Sequence, residues 1–268
     1  MDLGKRTLTA IVLLGILFVV IQYLPPLVFF ILLQLVVIAA LVEFYGLASK
    51  KKLYPRKALG LALALALSIP FYFSGVGLGP VLFACLGVAC LYFVAHIDGL
   101  EKLAVFPQSM AITFFGALYL GFSLNHLQLI RVEQGPFGLY FLFAVIFLGD
   151  TGAFFIGKPL GRHKMTPIAS PNKSWEGSAG GILFACLGAI AARALFFPDV
   201  VLWRALLCAV LVHAAAQVSD PLESLFKRAV GVKDSSNVLP GHGGFLDRVD
   251  SLILAAPLFY YLVKVLWK

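Results

Sequence analysis

Long apolar runs are the feature that most constrains what this chain can fold into. Nine of them approach the ~20 residues that a helix needs to cross ~30 Å of hydrocarbon. They lie at 8–24, 26–48, 58–73, 80–97, 108–130, 136–157, 177–197, 199–218 and 251–267. Only helices and closed barrels satisfy their backbone groups in lipid, and runs this continuous do not show the alternating pattern of barrel strands. The sequence therefore predicts an all-α, polytopic integral membrane protein with nine transmembrane helices.

The composition agrees with that fold and excludes a soluble domain. Hydrophobic residues make up 61% of the 268 residues and charged residues 13%, with a mean hydropathy of +0.96. Soluble domains are about one quarter charged. The four cysteines lie inside apolar runs without a C-x-x-C spacing, so we interpret them as packing residues rather than as a metal or disulfide site.

Basic residues indicate the orientation. With the N-terminus in the cytoplasm, nine spans place sixteen of the 21 Lys and Arg residues on the inner side, which is the side that basic loops favour. We interpret the cluster 50–52 as a topogenic loop on anionic headgroups. The net charge of +8 favours anionic lipids and nucleotides as partners. Nucleic acid is not an expected partner, because the cations are scattered over short loops.

This topology predicts two regions that together form one structural unit. Residues 1–135 hold five membrane helices. Residues 136–268 form the catalytic region, with four spans and two cytoplasmic loops at 157–177 and 219–250. We look for function in those two loops, because they hold most of the polar residues of the C-terminal half.

The first loop contains the motif SPNKSWEG, which begins at Ser170. Pro171 and Asn172 favour a turn, and Ser174 is typical of a residue that caps a helix. Two interpretations stay open. The motif is either a helix cap with a solvated lysine, or a phosphate site at a helix N-terminus formed by Ser170, Asn172 and Lys173.

Asp150 lies near the inner end of the sixth predicted span. A carboxylate at membrane depth is costly, so it must face protein, water or a cation. A role in substrate binding and a structural role are both compatible with this position.

A P-loop is excluded close by. The residues 152–158 match its pattern up to the last position, which is Pro159 where the motif needs a hydroxyl for magnesium. The glycines also fall inside a predicted helix rather than after a strand. We therefore reject a P-loop.

The second loop, from Ser219 to Asp250, is the longest polar stretch of the chain. Asp220 stands beside Pro221 and either ends the eighth span or starts a short amphipathic helix. In that second case Lys227 and Arg228 are expected to face the headgroups.

A glycine turn at 241–244 frees the backbone to approach a phosphate, and a new helix is expected to begin near Phe245. Asp247 and Asp250 are three residues apart on that helix, so they share a face where two acids repel each other unless a cation lies between them. Hard oxygen ligands suit magnesium rather than zinc. The alternative pairs Asp247 with Arg248 and leaves Asp250 as a solvated cap.

Two histidines receive different interpretations. His213 stands alone in an apolar span and is expected to be a hydrogen-bonded core residue. His242 lies between glycines in the loop and is the better candidate for contacting a phosphate.

These motifs resemble the signature of phosphatidate cytidylyltransferases, also called CDP-diacylglycerol synthases. The resemblance rests on Ser224-x-x-Lys227-Arg228-x4-Lys233-Asp234 and on Leu239-Pro240-x-His242-Gly243-Gly244-x-x-Asp247-Arg248-x-Asp250. SPNKSWEG is similar to the other cytoplasmic motif of that family. The matching motifs cover about 40 residues of the C-terminal half.

The resemblance implies a multi-pass enzyme of the cell inner membrane with its active site facing the cytoplasm, and a homodimer. It implies that the enzyme makes CDP-diacylglycerol and pyrophosphate from CTP and phosphatidic acid, with Mg²⁺ as cofactor and K⁺ as a possible second cation. By the same analogy the metal-binding acids are Asp220, Asp247 and Asp250.

The chemistry of such a reaction is electrostatic. The phosphate of phosphatidic acid is already ionised, so it needs no general base, whereas the meeting of two anions requires positive charge. We expect Lys227 and Arg248 to act beside the three acids in catalysis. The predicted substrate-binding residues are Asp150, Ser170, Asn172, Lys173, Ser224, Arg228, Lys233, Asp234, His242, Gly243 and Gly244.

Other function classes are compatible with parts of the sequence. A transporter would also place Asp150 and Glu43 at membrane depth, but it has no need for the lysine-rich loop with paired acids. A lipid kinase would consume nucleotide and release a nucleoside diphosphate. A CDP-alcohol transferase needs D-G-x-x-A-R, and this pattern fails after Asp98-Gly99.

Overall fold

The computed structural model describes residues 15–236, 238 and 243–267, and the chain divides into two compact units. Unit 1 comprises Met1–Gln128 and Ala229–Val249, and unit 2 comprises Leu129–Arg228 and Asp250–Lys268. The sequence-based boundary near residue 135 and the expectation of a single structural unit stay predictions.

The described part of the chain is almost entirely helical. The described portion of the first helix, α1, covers 15–23. The following helices are α2 (Pro26–Lys50), α3 (Lys57–Tyr72), α4 (Leu78–His96), α5 (Leu100–Gly116), α6 (Ser123–Glu133), α7 (Gly135–Leu160), α8 (Trp175–Phe196), α9 (Leu202–Ala229) and α10 (Leu246–Leu266). A π-helical segment, Ala117–Phe122, joins α5 to α6 without a break. Two short antiparallel strands, β1 (Lys164–Thr166) and β2 (Ser170–Ser174), form a hairpin between α7 and α8.

Seven helices of the described ranges are long and apolar enough to cross a membrane, which confirms the all-α polytopic fold. They are α2, α4, the continuous helix Leu100–Glu133, α7, α8, α9 and α10. Of the two remaining apolar runs, 58–73 forms α3, whose 16 residues are short for a span, and 8–24 lies partly outside the described residues. The count of nine spans and the cytoplasmic N-terminus stay predictions.

Unit 1 is built around the buried side of α2. Phe44 and Tyr45 are buried, and the Tyr45 hydroxyl donates a hydrogen bond to the Thr113 carbonyl. Close to it, a Cβ on Gly60 would fall 2.0 Å from the Tyr45 hydroxyl oxygen, so only glycine fits there. Further along α2, Gln34 donates to Asn125 over 2.7 Å. These contacts join α2 to α3 and to the long helix Leu100–Glu133.

Unit 2 is built around the close pair α7 and α8. A Cβ on Gly152 of α7 would fall 2.4 Å from Phe184 of α8, so the two helices approach through glycine. At the end of the unit away from the hairpin, Phe141, Phe259 and Trp267 pack their rings together. Gly152 and Gly157, the glycines of the rejected P-loop pattern, lie inside α7, as the sequence predicted.

Two local predictions are wrong. Pro171 and Asn172 lie in strand β2 rather than in a turn, because Ser170–Ser174 pairs with β1. Asp220 neither ends a helix nor starts a new one, since α9 continues through Pro221 to Ala229. The predicted cap is confirmed, because the Ser174 hydroxyl accepts a hydrogen bond from the Gly177 amide at the start of α8. The helix expected near Phe245 begins at Leu246.

Candidate active site

A polar cavity of about 670 Å³ lies within unit 2. Its walls are the second half of α7, the β1–β2 hairpin, the first turn of α8 and the middle of α9. The charged or amide-bearing residues that line it are Asp150, Lys158, Lys164, Asn172, Lys173, Gln217 and Asp220. Three helices that are apolar enough to span a membrane thus carry, beside the hairpin, a chamber with both signs of charge.

Lys173 is the central cation of this cavity. Its Nζ lies 2.7 Å from Oδ2 of Asp220, and both side chains are partly exposed. Asp150 and Asp250 each interact electrostatically with Lys173 and with Asp220. The structure therefore brings together four residues of the predicted site that are far apart in sequence.

The hairpin that carries Lys173 is held to α8 by Glu176. This carboxylate accepts hydrogen bonds from the backbone amides of Arg162 and His163, over 3.1 and 3.2 Å, and lies 2.6 Å from His163 Nδ1. The other end of the hairpin touches α9, where Arg228 Nε donates to the Ala169 carbonyl over 3.5 Å. The predicted binding residues Ser170 and Asn172 thus lie on a strand that is tied to its neighbours at both ends.

A polar face of α9 points into unit 2. Gln217 donates from Nε2 to the Ser178 carbonyl over 3.1 Å and accepts a hydrogen bond from the Ser178 hydroxyl over 2.5 Å. One turn earlier, His213 is fully buried between Gly149 and Gly181. Its placement in the core is confirmed, but the hydrogen bond expected for it is not found, since neither ring nitrogen has a partner among the described residues.

The same face continues into a buried ion pair. Lys227 Nζ lies 2.5 Å from Glu223 Oε2, and the two side chains are 10% and 1% exposed. The expectation that Lys227 faces the headgroups is therefore wrong, because its ammonium group turns inward to the carboxylate one turn before it. Arg228 is exposed, as that expectation required. Ser224, also in the predicted site, is buried beside Asp220.

Asp250 belongs to the same unit. Its backbone carbonyl accepts a hydrogen bond from the Ser219 hydroxyl, which ties α10 to α9 next to Asp220. Its side chain is half-buried. It interacts electrostatically with Asp220, Lys227 and Lys173. The solvated cap that was the alternative for Asp250 does not describe this environment.

Asp247 lies in unit 1, in the first turn of α10. Its Oδ2 accepts hydrogen bonds from the Ser235 amide, the Ser235 hydroxyl and the Gly244 amide, over 2.9, 2.7 and 2.8 Å. Gly243 has a φ of +77°, a conformation that favours glycine. Gly243 and Gly244, two of the three glycines of the predicted phosphate turn, therefore lie with their backbone against the Asp247 carboxylate.

The other predicted site residues of unit 1 that the structure describes are accessible. Lys233, Asp234 and Arg248 are exposed. His242 lies outside the described residues, so its assignment to a phosphate stays a prediction.

The predicted metal-binding acids fit magnesium in chemistry but do not form a ready-made cage. Among the described residues, no three His, Cys, Asp or Glu side chains are placed so that they could hold one metal ion. Magnesium is commonly bound by one or two carboxylates together with waters and substrate phosphates. Asp220 and Asp250 of unit 2 supply oxygens of that kind. These two carboxylates alone do not complete a coordination shell, so waters or phosphates would have to supply the remaining ligands.

Sequence reasoning missed several residues that the structure places in or near the site. Lys158 and Lys164 line the cavity but entered the sequence analysis only within the count of basic residues on the inner side, and Ser178 and Gln217 had no motif at all. Spacing along α9 could have found Gln217, because it shares a helix face with His213 and Asp220. In unit 1, the sequence marked Glu43 only as an acid at membrane depth and did not reveal its hydrogen bonds to Ser235 and Ser236.

Comparison with known proteins places the chain in a family. The model of the Cytidylyltransferase family matches residues 4–266. The phosphatidate cytidylyltransferase of Staphylococcus epidermidis is 34% identical over 96% of this chain and 98% of its own length, and that of Bacillus subtilis is 32% identical over 98% of each. The phosphatidate cytidylyltransferase of Brucella suis is 43% identical over 54% of each chain, so this chain spans about half the length of that relative. The resemblance seen in the motifs is confirmed, and the chain belongs to the Cytidylyltransferase family.

Proposed function

We propose that this chain transfers the cytidylyl group of CTP to phosphatidic acid, making CDP-diacylglycerol and releasing pyrophosphate. The observation that carries the proposal is the cavity of unit 2, where three lysines meet acids between apolar helices. A membrane protein that joins a lipid phosphate to a soluble nucleotide needs such a polar chamber at the ends of lipid-facing helices. The names of the relatives that match nearly the whole chain support this choice of substrates.

In this reaction an oxygen of the lipid phosphate attacks the α-phosphorus of CTP, and the bond to the departing pyrophosphate breaks. The attacking phosphate is already an anion, so no side chain has to remove a proton. The protein must instead neutralise charge and hold two anions together. Lys158, Lys164 and Lys173 supply positive charge on the cavity wall.

Lys173 has a further role in this proposal. Its ammonium group is held by Asp220 at 2.7 Å. A polyphosphate that enters the cavity competes with Asp220 for that ammonium group and releases the carboxylate. The ion pair therefore keeps both side chains oriented until the nucleotide arrives.

Asp220, Asp247 and Asp250 are the residues proposed to hold Mg²⁺, with K⁺ as a possible second cation. Bound Mg²⁺ would supply positive charge that offsets the negative charge on the phosphate oxygens. Asp220 and Asp250 interact electrostatically within unit 2. The participation of Asp247 rests on the motif resemblance.

We also propose the oligomeric state, the membrane and the orientation of the enzyme. The enzyme would be a homodimer in the cell inner membrane, with the cavity open to the cytoplasm, where CTP is found. The asymmetry of basic residues supports that orientation.

One assay tests the reaction, and a second, of flux in liposomes, distinguishes a transporter. Protein purified in detergent is incubated with Mg²⁺, phosphatidic acid and CTP labelled at the α-phosphate, and the lipid and aqueous products are separated. We expect label in a liponucleotide and pyrophosphate in the aqueous phase. Labelled CDP in place of pyrophosphate would indicate a lipid kinase, and lipid flux in liposomes without CTP would indicate a transporter. Either result would overturn the proposal.

A further inference from the structure

Glu43 of α2 is hydrogen-bonded to the polar segment that precedes α10, whose described residues are 230–236, 238 and 243–245, and to the first residue of α10. Within the described part of unit 1, its carboxylate accepts hydrogen bonds from four donors of that segment. The donors are the Ser235 hydroxyl at 2.8 Å, the Ser236 hydroxyl at 2.7 Å, the Phe245 amide at 3.1 Å and the Leu246 amide at 2.9 Å. All four donors are far from Glu43 in sequence, with separations of 192 to 203 residues.

Two of these donors belong to the start of a helix. The first amides of a helix have no partner within it, and the helix dipole favours a negative charge beside them. At the start of α10 that partner is a carboxylate from a different helix. Bonds between an ionised acceptor and such amides are stronger than neutral ones. Glu43 therefore anchors the first turn of α10, which contains Asp247.

The Ser235 hydroxyl links this anchor to Asp247. It lies 2.8 Å from Glu43 Oε2 and 2.7 Å from Asp247 Oδ2, so the two carboxylates share the single proton that this hydroxyl can donate. Space for the contact depends on Gly244, where a Cβ would fall 2.2 Å from Glu43 Oε2. The glycine, the serine and the two acids thus form one connected group.

We propose that Glu43 is a positioning residue for the cytidylyl transfer: it holds the start of α10 and the segment before it, and thereby sets the place of Asp247 and Arg248. This inference rests on the proposed function, since it gives those two side chains their task. Glu43 itself does not contact substrate in this account.

The remaining contacts of α2 are independent of this anchor. Phe44 and Tyr45 pack into the core of unit 1, and the Gln34–Asn125 hydrogen bond lies elsewhere on the same helix. Loss of the Glu43 carboxylate therefore releases the segment before α10 while α2 stays packed.

The test compares Glu43→Gln and Glu43→Ala with Gln34→Leu, a matched control that breaks a buried hydrogen bond on the same helix. The first measurement is hydrogen exchange of the purified full chain, followed by mass spectrometry of peptides. We expect both Glu43 variants to exchange faster in peptides covering 229–249 and at the wild-type rate in α7 and α8. The control is expected to leave 229–249 unchanged. Wild-type exchange of 229–249 in Glu43→Ala would overturn the proposal.

The second measurement is the split between kcat and KM in the transfer reaction. We expect kcat of Glu43→Ala to fall by about 10²-fold, the size expected when a reacting group is misplaced by about 1 Å. The KM for phosphatidic acid should stay within about twofold of the wild-type value, because the Glu43→Ala substitution removes no contact to the lipid. Glu43→Asp, which keeps the charge, should recover part of kcat. Equal losses of kcat in Glu43→Asp, Glu43→Ala and Gln34→Leu would contradict positioning.

Ser236→Ala keeps the test decisive if Glu43→Ala does not fold. This change removes one donor and leaves the Glu43 carboxylate in place. We therefore expect exchange in 229–249 to rise less than in the Glu43 variants. An unchanged rate would contradict the proposed role of Glu43. Hydrogen exchange requires no substrate. Faster exchange in the Glu43 variants of a chain that makes no liponucleotide would therefore overturn the proposed reaction and leave the anchor standing.

Discussion

The acids of the two units differ in what satisfies them. In unit 1, Glu43 and Asp247 accept hydrogen bonds from hydroxyls and backbone amides at the start of α10 and in the residues before it. In unit 2, Asp220 faces a cavity and is paired with Lys173, a partner that a polyphosphate can compete for. Acids bonded to the backbone hold the chain in place, whereas an acid paired with a partly exposed lysine at a cavity wall can exchange partners. The difference teaches that residue type alone does not reveal which acids contact substrate.

Asp247 is the residue that most directly tests this contrast, because it is assigned both to the segment before α10 and to catalysis. Asp247→Asn keeps an oxygen that can accept from Ser235 and Gly244, so we expect a folded, membrane-inserted protein. Turnover should fall by about 10³-fold or more, because a charge that acts on the transferring phosphates is lost. The measurement is liponucleotide formation, with membrane insertion as the control. Near-normal activity would leave Asp247 with a purely structural role.

Lys173 sharpens the comparison from the side of unit 2. In Lys173→Ala we expect kcat/KM for CTP to fall by about 10–100-fold, the range of one hydrogen bond to a charged group. Lys173→Arg should retain part of the activity, since it keeps the charge but not the shape. Lys51→Ala, a change of an exposed cation in unit 1, serves as control. Equal kinetics for Lys173→Ala and Lys51→Ala would contradict the proposal that the cavity binds CTP through Lys173.

The Glu223–Lys227 pair predicts an effect on stability. Glu223→Gln leaves the Lys227 ammonium group buried without its carboxylate, which should lower the free energy of unfolding by about 3–5 kcal/mol. Lys264→Met is the matched control in the same unit. It breaks the exposed Lys264–Glu133 pair at 3.3 Å, and such pairs contribute about 0–1 kcal/mol. Unfolding in detergent followed by circular dichroism compares them, and equal losses would show that burial of the first pair does not matter.

The smallest effect is expected for Gln34→Leu. It removes the hydrogen bond to Asn125 in the core of unit 1, which should lower the free energy of unfolding by about 1 kcal/mol. The kcat of the transfer should not change, because the Gln34–Asn125 hydrogen bond joins two core helices of unit 1 and includes none of the residues assigned to catalysis or substrate binding. A large loss of kcat with a small loss of stability would show that the core of unit 1 contributes to catalysis beyond its packing.

The sequence was most informative where structure depends on local pattern. Runs of apolar residues predicted the helices, and Ser174 predicted the start of α8, because length in lipid and capping are local properties. The loop motifs likewise pointed to Asp220 and Asp250, which the structure brings together with Asp150 and Lys173 in unit 2.

Long-range packing accounts for what sequence reasoning missed. The break expected at Pro221 does not occur, since α9 continues through it, and Pro171 and Asn172 lie in strand β2 despite their preference for turns. The bonds of Glu43 connect residues about 200 positions apart, as its separations of 192 to 203 from the donors show. No local pattern carries that information, because it arises only when the segment before α10 folds back onto α2.

Equilibrium binding of CTP to the purified protein tests the central claim, that the cavity of unit 2 receives the nucleotide. Affinity would be measured for the wild-type chain, for Lys173→Ala and for Lys51→Ala under identical salt and Mg²⁺ conditions. We expect the affinity for CTP to be lower by about 10–100-fold in Lys173→Ala and to equal that of the wild-type chain in Lys51→Ala. Wild-type affinity in Lys173→Ala would contradict it.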